Sequence, residues 1–470
     1  MNNLKLELHQ RFGFDTFRPG QQEVLEYFLA GEDVLAILPT GTGKSILYQF
    51  PTPYYSGTVI ILSPLVSLMM DQVDQLKARG VKKVVALNSF QSPPERNYAL
   101  NNLSTYDYIF LSPEVLQNDR VKNAISQLHV SYFVFDEAHC LTLWGLDFRP
   151  DYLRATEWIN QQFTKQILAL TATATDQTRQ SLKNLFNRPA MKEVVRSIDR
   201  PSIALQTTEA DNEHEKEEII LSQISRFKGP GILYTQSRKR AEYYAEKLTG
   251  QGIRAAAYHG GMPPLERSLI QQQYSHGQLD WICATNAFGM GIHKENIRQI
   301  IHDHVPTSLS NYLQEIGRAS RDGKQSFATL VYLQDDARKS QFIATSDIPD
   351  NTDISLFMEN QDTILDDQKR RILTYWQSRM SLEEQQQLFQ NLRMHKTQEI
   401  NQLFEILRSE ACIRSSLTEA FGENLETKPE ICCNRCTNIV QHMQTHLVND
   451  FTKENAEQLT VVDRIKQLFP

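Results

Sequence analysis

This sequence has few cysteines, no long apolar run and no large excess of charge of one sign. Six cysteines in 470 residues exclude a small disulfide-stabilised scaffold, since such proteins are short and rich in cysteine. No stretch reaches the ~18 consecutive apolar residues of a membrane-spanning helix, and residues 1–9 lack the apolar core of a signal peptide. We therefore expect a cytoplasmic protein that has no membrane partner.

The balance of charge argues against binding to nucleic acid over the whole surface. The chain has 49 Lys and Arg against 56 Asp and Glu, a net charge of -7. Any nucleic-acid site must therefore be a local basic groove. The hydrophobic content of 40% is that of an ordinary globular protein, and the length suggests about three domains at ~150 residues each.

The sequence does contain a phosphate-binding pattern, which lies between a predicted strand at 33–38 and a helix that begins near Lys44. A loop around a triphosphate needs glycines for close approach, a lysine for the β- and γ-phosphates and a hydroxyl for Mg²⁺. The loop supplies Thr40, Gly41, Thr42, Gly43, Lys44 and Ser45. Leu38 stands where the general pattern has glycine, and the alternative is a simple glycine turn before a surface lysine.

Two adjacent carboxylates, Asp136 and Glu137, follow the short apolar run 132–135. Such a run is typical of a buried parallel strand, and ligands of open α/β sheets bind where the strands end. Phosphoryl transfer to water needs a carboxylate for the metal and a group that positions the water, and the two residues suit these roles in that order. The alternative is a solvated turn.

Repeated strands separated by helical stretches predict a doubly wound parallel sheet. The predicted strands begin at Asp33, Ile60, Val84, Tyr108, Tyr132 and Ile167. Near residues 197–201 the pattern restarts, with further strands beginning at Gly231, Ala255 and Trp281. This second α/β unit has no glycine-lysine loop. It carries Arg318 and Arg321, which we place on one helical turn, either on a solvated face or opposite a nucleotide as transition-state charge.

Two aromatic and basic segments have the means to contact bases. Phe14, Arg18 and Gln21 precede the phosphate loop and can stack on a base and read its edge, although a phenylalanine before a helix is often a hydrophobic staple. The second segment is a loop that includes Gly145 and ends at Pro150, and it can stack on unpaired bases, unless it packs on its own sheet. It contains Trp144, Phe148 and Arg149.

Four of the six cysteines crowd into a polar, helical C-terminal region that begins near Asp335. Four thiolates complete a tetrahedral zinc shell, and a structural site uses all four positions. The sequence therefore predicts a structural zinc site, with reduced, unliganded thiols as the alternative. The predicted ligands are Cys412, Cys432, Cys433 and Cys436.

Taken in order and spacing, these motifs resemble the RecQ family of DNA helicases, in superfamily 2. The resemblance covers residues from roughly Leu4 to Cys436 and is that of a short bacterial form, of RecQ or RecS type. The segments that carry it are 17–21, 40–45, 136–139, 144–150, 171–174, 288–291 and 314–323.

The resemblance implies a fold of two tandem RecA-like doubly wound parallel-sheet domains followed by a small helical zinc-binding domain. We place these domains at 1–198, 199–337 and 338–440, with a short C-terminal tail at 441–470. The chain ends at Pro470, 34 positions after Cys436, which leads us to expect no winged-helix domain and weak unwinding of long duplexes.

The resemblance also assigns roles to the site residues. Adenine would be held by Phe14, Arg18 and Gln21, phosphates by Lys44 and its loop, and Mg²⁺ by Ser45 and Asp136. Glu137 would hold the attacking water, and Arg321 would be the arginine finger, with Arg318 and Gln314 beside it. The segment with Trp144, Phe148 and Arg149 would sense single-stranded DNA.

The activity implied is an ATP-dependent 3′-to-5′ DNA helicase of DNA repair and recombination, with ATP, Mg²⁺ and Zn²⁺ as cofactors. Its partners would be single-stranded and forked DNA, single-stranded DNA-binding protein and repair factors, and the chain would be a monomer near the bacterial nucleoid. Three alternatives stay open from the sequence. They are a translocase or annealing factor with weak unwinding, an RNA helicase, and a zinc-containing scaffold with a vestigial ATPase.

Overall fold

The structure, a computed structural model, describes residues 2–64, 66–88, 91–143, 150–288, 294–359 and 364–449. The strands are β1 (Val34–Ile37), β2 (Thr58–Leu62), β3 (Val84–Leu87), β4 (Tyr108–Leu111), β5 (Val130–Phe135), β6 (Ile167–Thr171), β7 (Lys192–Val195), β8 (Ile203–Glu209), β9 (Gly231–Tyr234), β10 (Ala255–Tyr258), β11 (Trp281–Ala284), β12 (Gln299–His302) and β13 (Ser326–Tyr332).

The α-helices are α1 (Asn2–Phe12), α2 (Gln21–Leu29), α3 (Ser45–Gln49), α4 (Val66–Ala78), α5 (Pro93–Asn101), α6 (Asp119–Ser126), α7 (Cys140–Leu143), α8 (Pro150–Gln162), α9 (Asp176–Leu185), α10 (Glu213–Arg226), α11 (Arg238–Gly250), α12 (Pro264–Ser275), α13 (Leu309–Ile316), α14 (Asp336–Ser346), α15 (Asn351–Met358), α16 (Asp367–Gln377), α17 (Leu382–Arg408), α18 (Ile413–Glu419) and α19 (Ile439–Asn449). Short 3₁₀ turns occupy Thr52–Tyr54, Leu103–Thr105 and Val115–Gln117.

Strands β1 to β7 form the first sheet, in the order β3-β4-β2-β5-β6-β1-β7, and every pairing in it is parallel. Alternate residues of a strand point to opposite faces, so the apolar run of β1 supplies two cores. Leu35 and Ile37 pack in the core on one face, and Val34 and Ala36 in the core on the other. Helices cover both faces, which explains why the strand is apolar throughout.

The second sheet repeats this design in the order β10-β11-β9-β12-β13-β8, again with parallel pairings. The predicted doubly wound architecture, with two parallel-sheet RecA-like domains, is therefore confirmed. Four strands, β7, β8, β12 and β13, were absent from the sequence prediction. They contain polar residues such as Lys192 and Gln299, so they lack the continuous apolar run that predicts a buried strand. Pairing with neighbouring strands stabilises their extended conformation.

The C-terminal helices α14 to α19 form a helical region that contacts both domains, since α16 packs against α8 of the first domain and α14 follows β13 of the second sheet. Helix α17 is 27 residues long and begins with a capping box, in which Ser381 and Glu384 satisfy each other's backbone N–H groups. It packs against α14. The cysteine segment joins the edge of the sheet, since a parallel bridge links Cys433 to Leu205 of β8. Across the described ranges, no helix is long and apolar enough to cross a membrane.

Candidate active site

The phosphate loop lies between β1 and α3, at the carboxyl edge of the first sheet. Gly41 and Gly43 have φ angles of +82° and +73°, a conformation that residues with a Cβ rarely adopt. Lys44 directly precedes α3, and its Nζ lies 3.4 Å from the Leu38 carbonyl oxygen. The predicted loop is thus formed, and its lysine turns back toward the cavity that the loop borders.

Asp136 follows β5, which is separated from β1 by β6 alone. Its carboxylate accepts a hydrogen bond from Gln72 Nε2 at 3.1 Å and one from the backbone N–H of Glu137 at 3.1 Å. Burial, followed by the neighbouring Glu137, raises the pKa of Asp136 to about 6, and Lys44 opposes this rise. A cation at this carboxylate would stabilise its charged form.

Glu137 sits in a backbone conformation that is uncommon for a residue other than glycine, with a φ of +49°. Its Oε2 atom is buried, lies 3.4 Å from His139 Nδ1 and accepts no hydrogen bond from any described residue. Burial lowers the pKa of His139, and Gln314 Nε2 lies 3.3 Å from His139 Nε2. Gln314 belongs to the second sheet's α13, so this contact joins the two domains.

The three residues predicted to hold a base lie beside the loop. Gln21 Nε2 donates to the carbonyl oxygen of Thr42 at 2.7 Å, and Arg18 donates to that of Gly41. Phe14 is 44% exposed at the mouth of the same cavity, where its ring is free to stack on a planar group. Part of the hydrogen-bonding capacity of Gln21 is therefore already used by the loop backbone.

The two arginines do not lie on one helical turn, so that prediction was wrong. Helix α13 ends at Ile316, and Arg318 and Arg321 follow it in a tight turn in which Ser320 has a φ of +56°. Gly317 accepts a hydrogen bond from Thr40 Oγ1 at 2.9 Å, which holds this turn against the phosphate loop. Burial, followed by Arg318 and Arg200, lowers the pKa of Arg321 to about 10.

These side chains line one cavity of about 340 Å³ between the two sheets. Its size and its lining of loop N–H groups, cations and carboxylates suit a nucleoside triphosphate with its magnesium ion. Two buried polar atoms, Glu137 Oε2 and Arg318 Nε, have no hydrogen-bond partner among the described residues. The predicted residues that line the cavity are Phe14, Arg18, Gln21, Thr40, Gly41, Gly43, Lys44, Ser45, Asp136, Glu137, Gln314, Arg318 and Arg321.

The four predicted zinc ligands come together in the C-terminal region, with all four sulfur atoms within 4.8 Å of one another. The Cys412–Cys432, Cys412–Cys433 and Cys433–Cys436 sulfur distances are 3.6, 3.9 and 3.6 Å. Zinc–sulfur bonds of about 2.3 Å place tetrahedral ligands roughly 3.8 Å apart. The cluster therefore fits a zinc ion.

Some predicted residues lie outside the described part of the chain. They are Trp144, Phe148 and Arg149, together with 289–291 of the resemblance and 450–470 of the predicted tail. Two residues that the sequence reasoning missed matter here. Gln72, on α4, bonds the Asp136 carboxylate, and Arg200, between the two sheets, reaches the phosphate loop. Neither has a local sequence signal, because each contributes only through its contact with a distant segment.

Two family models match the chain. The model described as DEAD/DEAH box helicase covers residues 18–182, and that described as Helicase conserved C-terminal domain covers 215–323. The probable ATP-dependent DNA helicase RecS of Bacillus subtilis (strain 168) is 38% identical over 93% of this chain and 92% of its own length. The ATP-dependent DNA helicase RecQ of the same organism is 31% identical, over 97% of this chain and 70% of its own length. This chain belongs to the RecQ family of ATP-dependent DNA helicases.

Other RecQ relatives are longer than the matched region. The RecQ helicase of Pasteurella multocida (strain Pm70) is 39% identical over 69% of this chain, which spans 51% of that relative. Among solved structures, the helicase Lhr of Mycobacterium smegmatis, bound to single-stranded DNA and AMP-PNP, superposes with a TM-score of 0.56 at 20% identity, over 73% of this RecQ-family chain and 49% of Lhr. The likeness to that structure shows the fold alone.

Proposed function

We propose that this RecQ-family chain hydrolyses ATP in the cavity between its two sheets and uses the cycle to move 3′ to 5′ along single-stranded DNA and separate duplexes. The observation that carries the proposal is the approach of the second domain's Arg321 to the phosphate loop. A Cβ built on Gly41 would lie 3.2 Å from Arg321 Cγ. A site split between two domains couples the state of the nucleotide to their relative position.

In this proposal Lys44 and the N–H groups of residues 40–45 hold the phosphates. Ser45 and Asp136 would hold a magnesium ion, which when bound would neutralise charge on the phosphate oxygens. Glu137, whose buried Oε2 accepts no hydrogen bond from the described residues, accepts one from the attacking water and orients it.

Arg321, with Arg318 beside it, stabilises the charge on the transferred phosphoryl group. Gln314 contacts His139 of the first domain, whose ring also lies beside Glu137, and so links the second domain to the residue that orients the water. Phe14 stacks on the adenine, and Arg18 and Gln21 fix the edge of that ring. For each of these roles the side chain needs only to extend into the cavity that these residues line.

We propose further that Cys412, Cys432, Cys433 and Cys436 bind one structural zinc ion, and that Trp144, Phe148 and Arg149 contact single-stranded DNA. We also propose domain boundaries at residues 198, 337 and 440. DNA as the substrate is supported by the relatives, since RecS and RecQ are described as DNA helicases. They do not favour an RNA helicase or a scaffold with a vestigial ATPase.

The experiment measures steady-state ATP turnover without nucleic acid and with single-stranded DNA, duplex DNA and RNA, together with strand displacement on duplexes that carry a 3′ or a 5′ tail. We expect single-stranded DNA to stimulate turnover most, and the 3′-tailed duplex to be the better substrate. Equal turnover with RNA would contradict the assignment of substrate, and preference for the 5′ tail would contradict the polarity.

The matched control for this experiment is Glu137→Gln, which keeps the size of the side chain and removes its charge. Hydrolysis should be lost, whereas ATP-dependent binding to a fluorescent single-stranded oligonucleotide should persist, since the nucleotide cavity and the DNA surface are separate. Lys44→Ala should also lose hydrolysis, through loss of phosphate contacts. Parallel loss of DNA binding in Glu137→Gln would show that the two surfaces are not separate.

A further inference from the structure

The linker between the two sheets runs from Val195, the last residue of β7, to Ile203, the first residue of β8. We propose that Arg200 on this linker is a positioning residue for Arg321, and that the C-terminal cysteine region holds Arg200 in place. The inference rests on the proposed function in one respect only, that Arg321 acts on ATP bound at the phosphate loop.

The guanidinium of Arg200 joins the two sides of the nucleotide cavity. Its Nη1 donates to the carbonyl oxygen of Thr40 at 2.7 Å, in the phosphate loop, and to that of Gly317 at 3.3 Å. Its Nη2 donates to the carbonyl oxygens of Ala319 at 3.3 Å and Ser320 at 2.9 Å. One planar group therefore fixes the backbone just before Arg321 relative to the loop that would hold the phosphates.

The groups that Arg200 contacts distinguish a positioning residue from a residue that binds phosphate. Both terminal nitrogens of Arg200 are directed at carbonyl oxygens. The same contacts hold Ser320 in its left-handed conformation, at φ +56°, which costs free energy in a residue with a side chain. Arg200 thus fixes the backbone of the turn, and this backbone positions the Arg321 side chain at the cavity.

Two charged residues of the C-terminal region fix the linker itself. Arg414, 2% exposed, donates to the carbonyl oxygen of Arg200 at 3.0 Å, and it also pairs with the Asp199 carboxylate. Glu423 accepts hydrogen bonds from Ser197 Oγ at 2.6 Å and from the backbone N–H of Ile198 at 3.1 Å.

The contacts of Arg414 also reach the cysteine segment, since its Nη2 lies 3.4 Å from the carbonyl oxygen of Cys432. A continuous set of hydrogen bonds therefore runs from the cysteine segment through Arg414 and the linker backbone to Arg200, and from there to the turn before Arg321. The cysteine region is distant from the cavity in sequence, yet it sets the geometry of one of the cavity's walls.

The test compares the kcat and KM for ATP, at saturating single-stranded DNA, of the full-length wild type and of Arg200→Ala, Arg200→Lys, Arg321→Ala and the Arg200→Ala/Arg321→Ala double variant. We expect Arg200→Ala to lower kcat about 100-fold, the scale that a misplacement of about 1 Å costs, with little change in KM. Arg200→Lys should recover only part of kcat, because one ammonium cannot span carbonyls on both domains.

The double variant should be no slower than Arg321→Ala alone, because a residue that acts only through Arg321 has nothing left to position. Losses that multiply in the double variant would overturn the inference, and so would an unchanged kcat or a raised KM in Arg200→Ala. Stimulation of the wild type by DNA tests the proposed function, whereas the ratios between variants test the inference.

Two further variants complete the design. Glu423→Gln alters the linker contact from outside the cavity, so it should lower kcat in the same direction, by less than Arg200→Ala, without altering KM. Arg254→Ala removes an exposed arginine that bonds Asp280 on the second domain, and it should leave both constants unchanged. An effect of Arg254→Ala equal to that of Arg200→Ala would identify general destabilisation as the cause.

Discussion

At the scale of single residues, Arg321 has an unfavourable surrounding for a cation. Burial and the nearby Arg318 and Arg200 lower its pKa to about 10, and a bound triphosphate would offset this repulsion. We expect Arg321→Ala to reduce the kcat of ATP hydrolysis by ~10³-fold or more, the scale of arginine fingers, with ATP affinity retained. Steady-state kinetics and binding of a fluorescent ATP analogue measure the two effects. Weaker binding with an unchanged kcat would instead assign Arg321 to ground-state contacts.

Asp71, on α4, is a second residue whose pKa is shifted from its ordinary value. Burial, followed by repulsion from Asp74, raises its pKa from 3.8 to about 7. The folded protein therefore retains a proton there that the unfolded chain releases, so stability from this group falls as pH rises between about 4 and 7. Asp71→Asn should be more stable than the wild type above pH 7, and the two should converge near pH 4. Thermal unfolding across that range measures the difference, and a constant offset would contradict it.

At the scale of elements, the cysteine segment does more than close a loop. Besides the bridge to Leu205, Asn434 exchanges hydrogen bonds with Thr207 of β8, so the segment extends the edge of the second sheet. An edge strand covered in this way is protected from pairing with other chains.

If the cluster binds zinc as proposed, loss of the metal should therefore affect both the helical region and this sheet edge. A structural zinc ion contributes its binding free energy to folding, so we expect Cys433→Ser to give poorly soluble protein with less than one zinc per chain. Elemental analysis and far-UV circular dichroism measure the outcome, with the buried Cys283→Ser, far from the cluster in the sheet, as the control. Wild-type protein that is active without zinc would remove the hypothesis.

At the scale of the whole molecule, the two domains are in contact where Gly317 faces Thr40. A Cβ built on Gly317 would lie 2.3 Å from Thr40 Oγ1 and 2.9 Å from the Leu313 carbonyl oxygen, both inside van der Waals contact, although the φ of Gly317, −62°, is itself open to residues with a side chain. Gly317→Ala should therefore prevent full approach of the domains and lower kcat.

The added Thr40→Ala should restore part of this loss, because it removes the hydroxyl and leaves Cβ, which lies 3.6 Å away. Steady-state turnover of the two single variants and of the double variant measures this. A double variant as slow as Gly317→Ala would show that the steric account is wrong.

The sequence by itself determined the chemistry that is local along the chain. Glycines at fixed spacing favour a loop that can wrap a phosphate, apolar runs bounded by turns favour parallel strands, and cysteines close in sequence favour a cluster of thiols, because each depends on neighbours a few residues apart. For this reason the two sheets, the phosphate loop and the cysteine cluster could all be predicted.

Only the tertiary structure decided which distant segments meet. In the folded protein α13 ends before Arg318, and Gln72 contacts Asp136. Arg200 lies between the phosphate loop and the turn that carries Arg321. Strands β7, β8, β12 and β13 form because neighbouring strands supply their backbone hydrogen bonds. Their own sequences contain polar residues and do not predict a strand. A contact between residues 160 positions apart, such as that of Arg200 with Thr40, leaves no periodicity in the sequence, since its free energy arises only when both domains are folded.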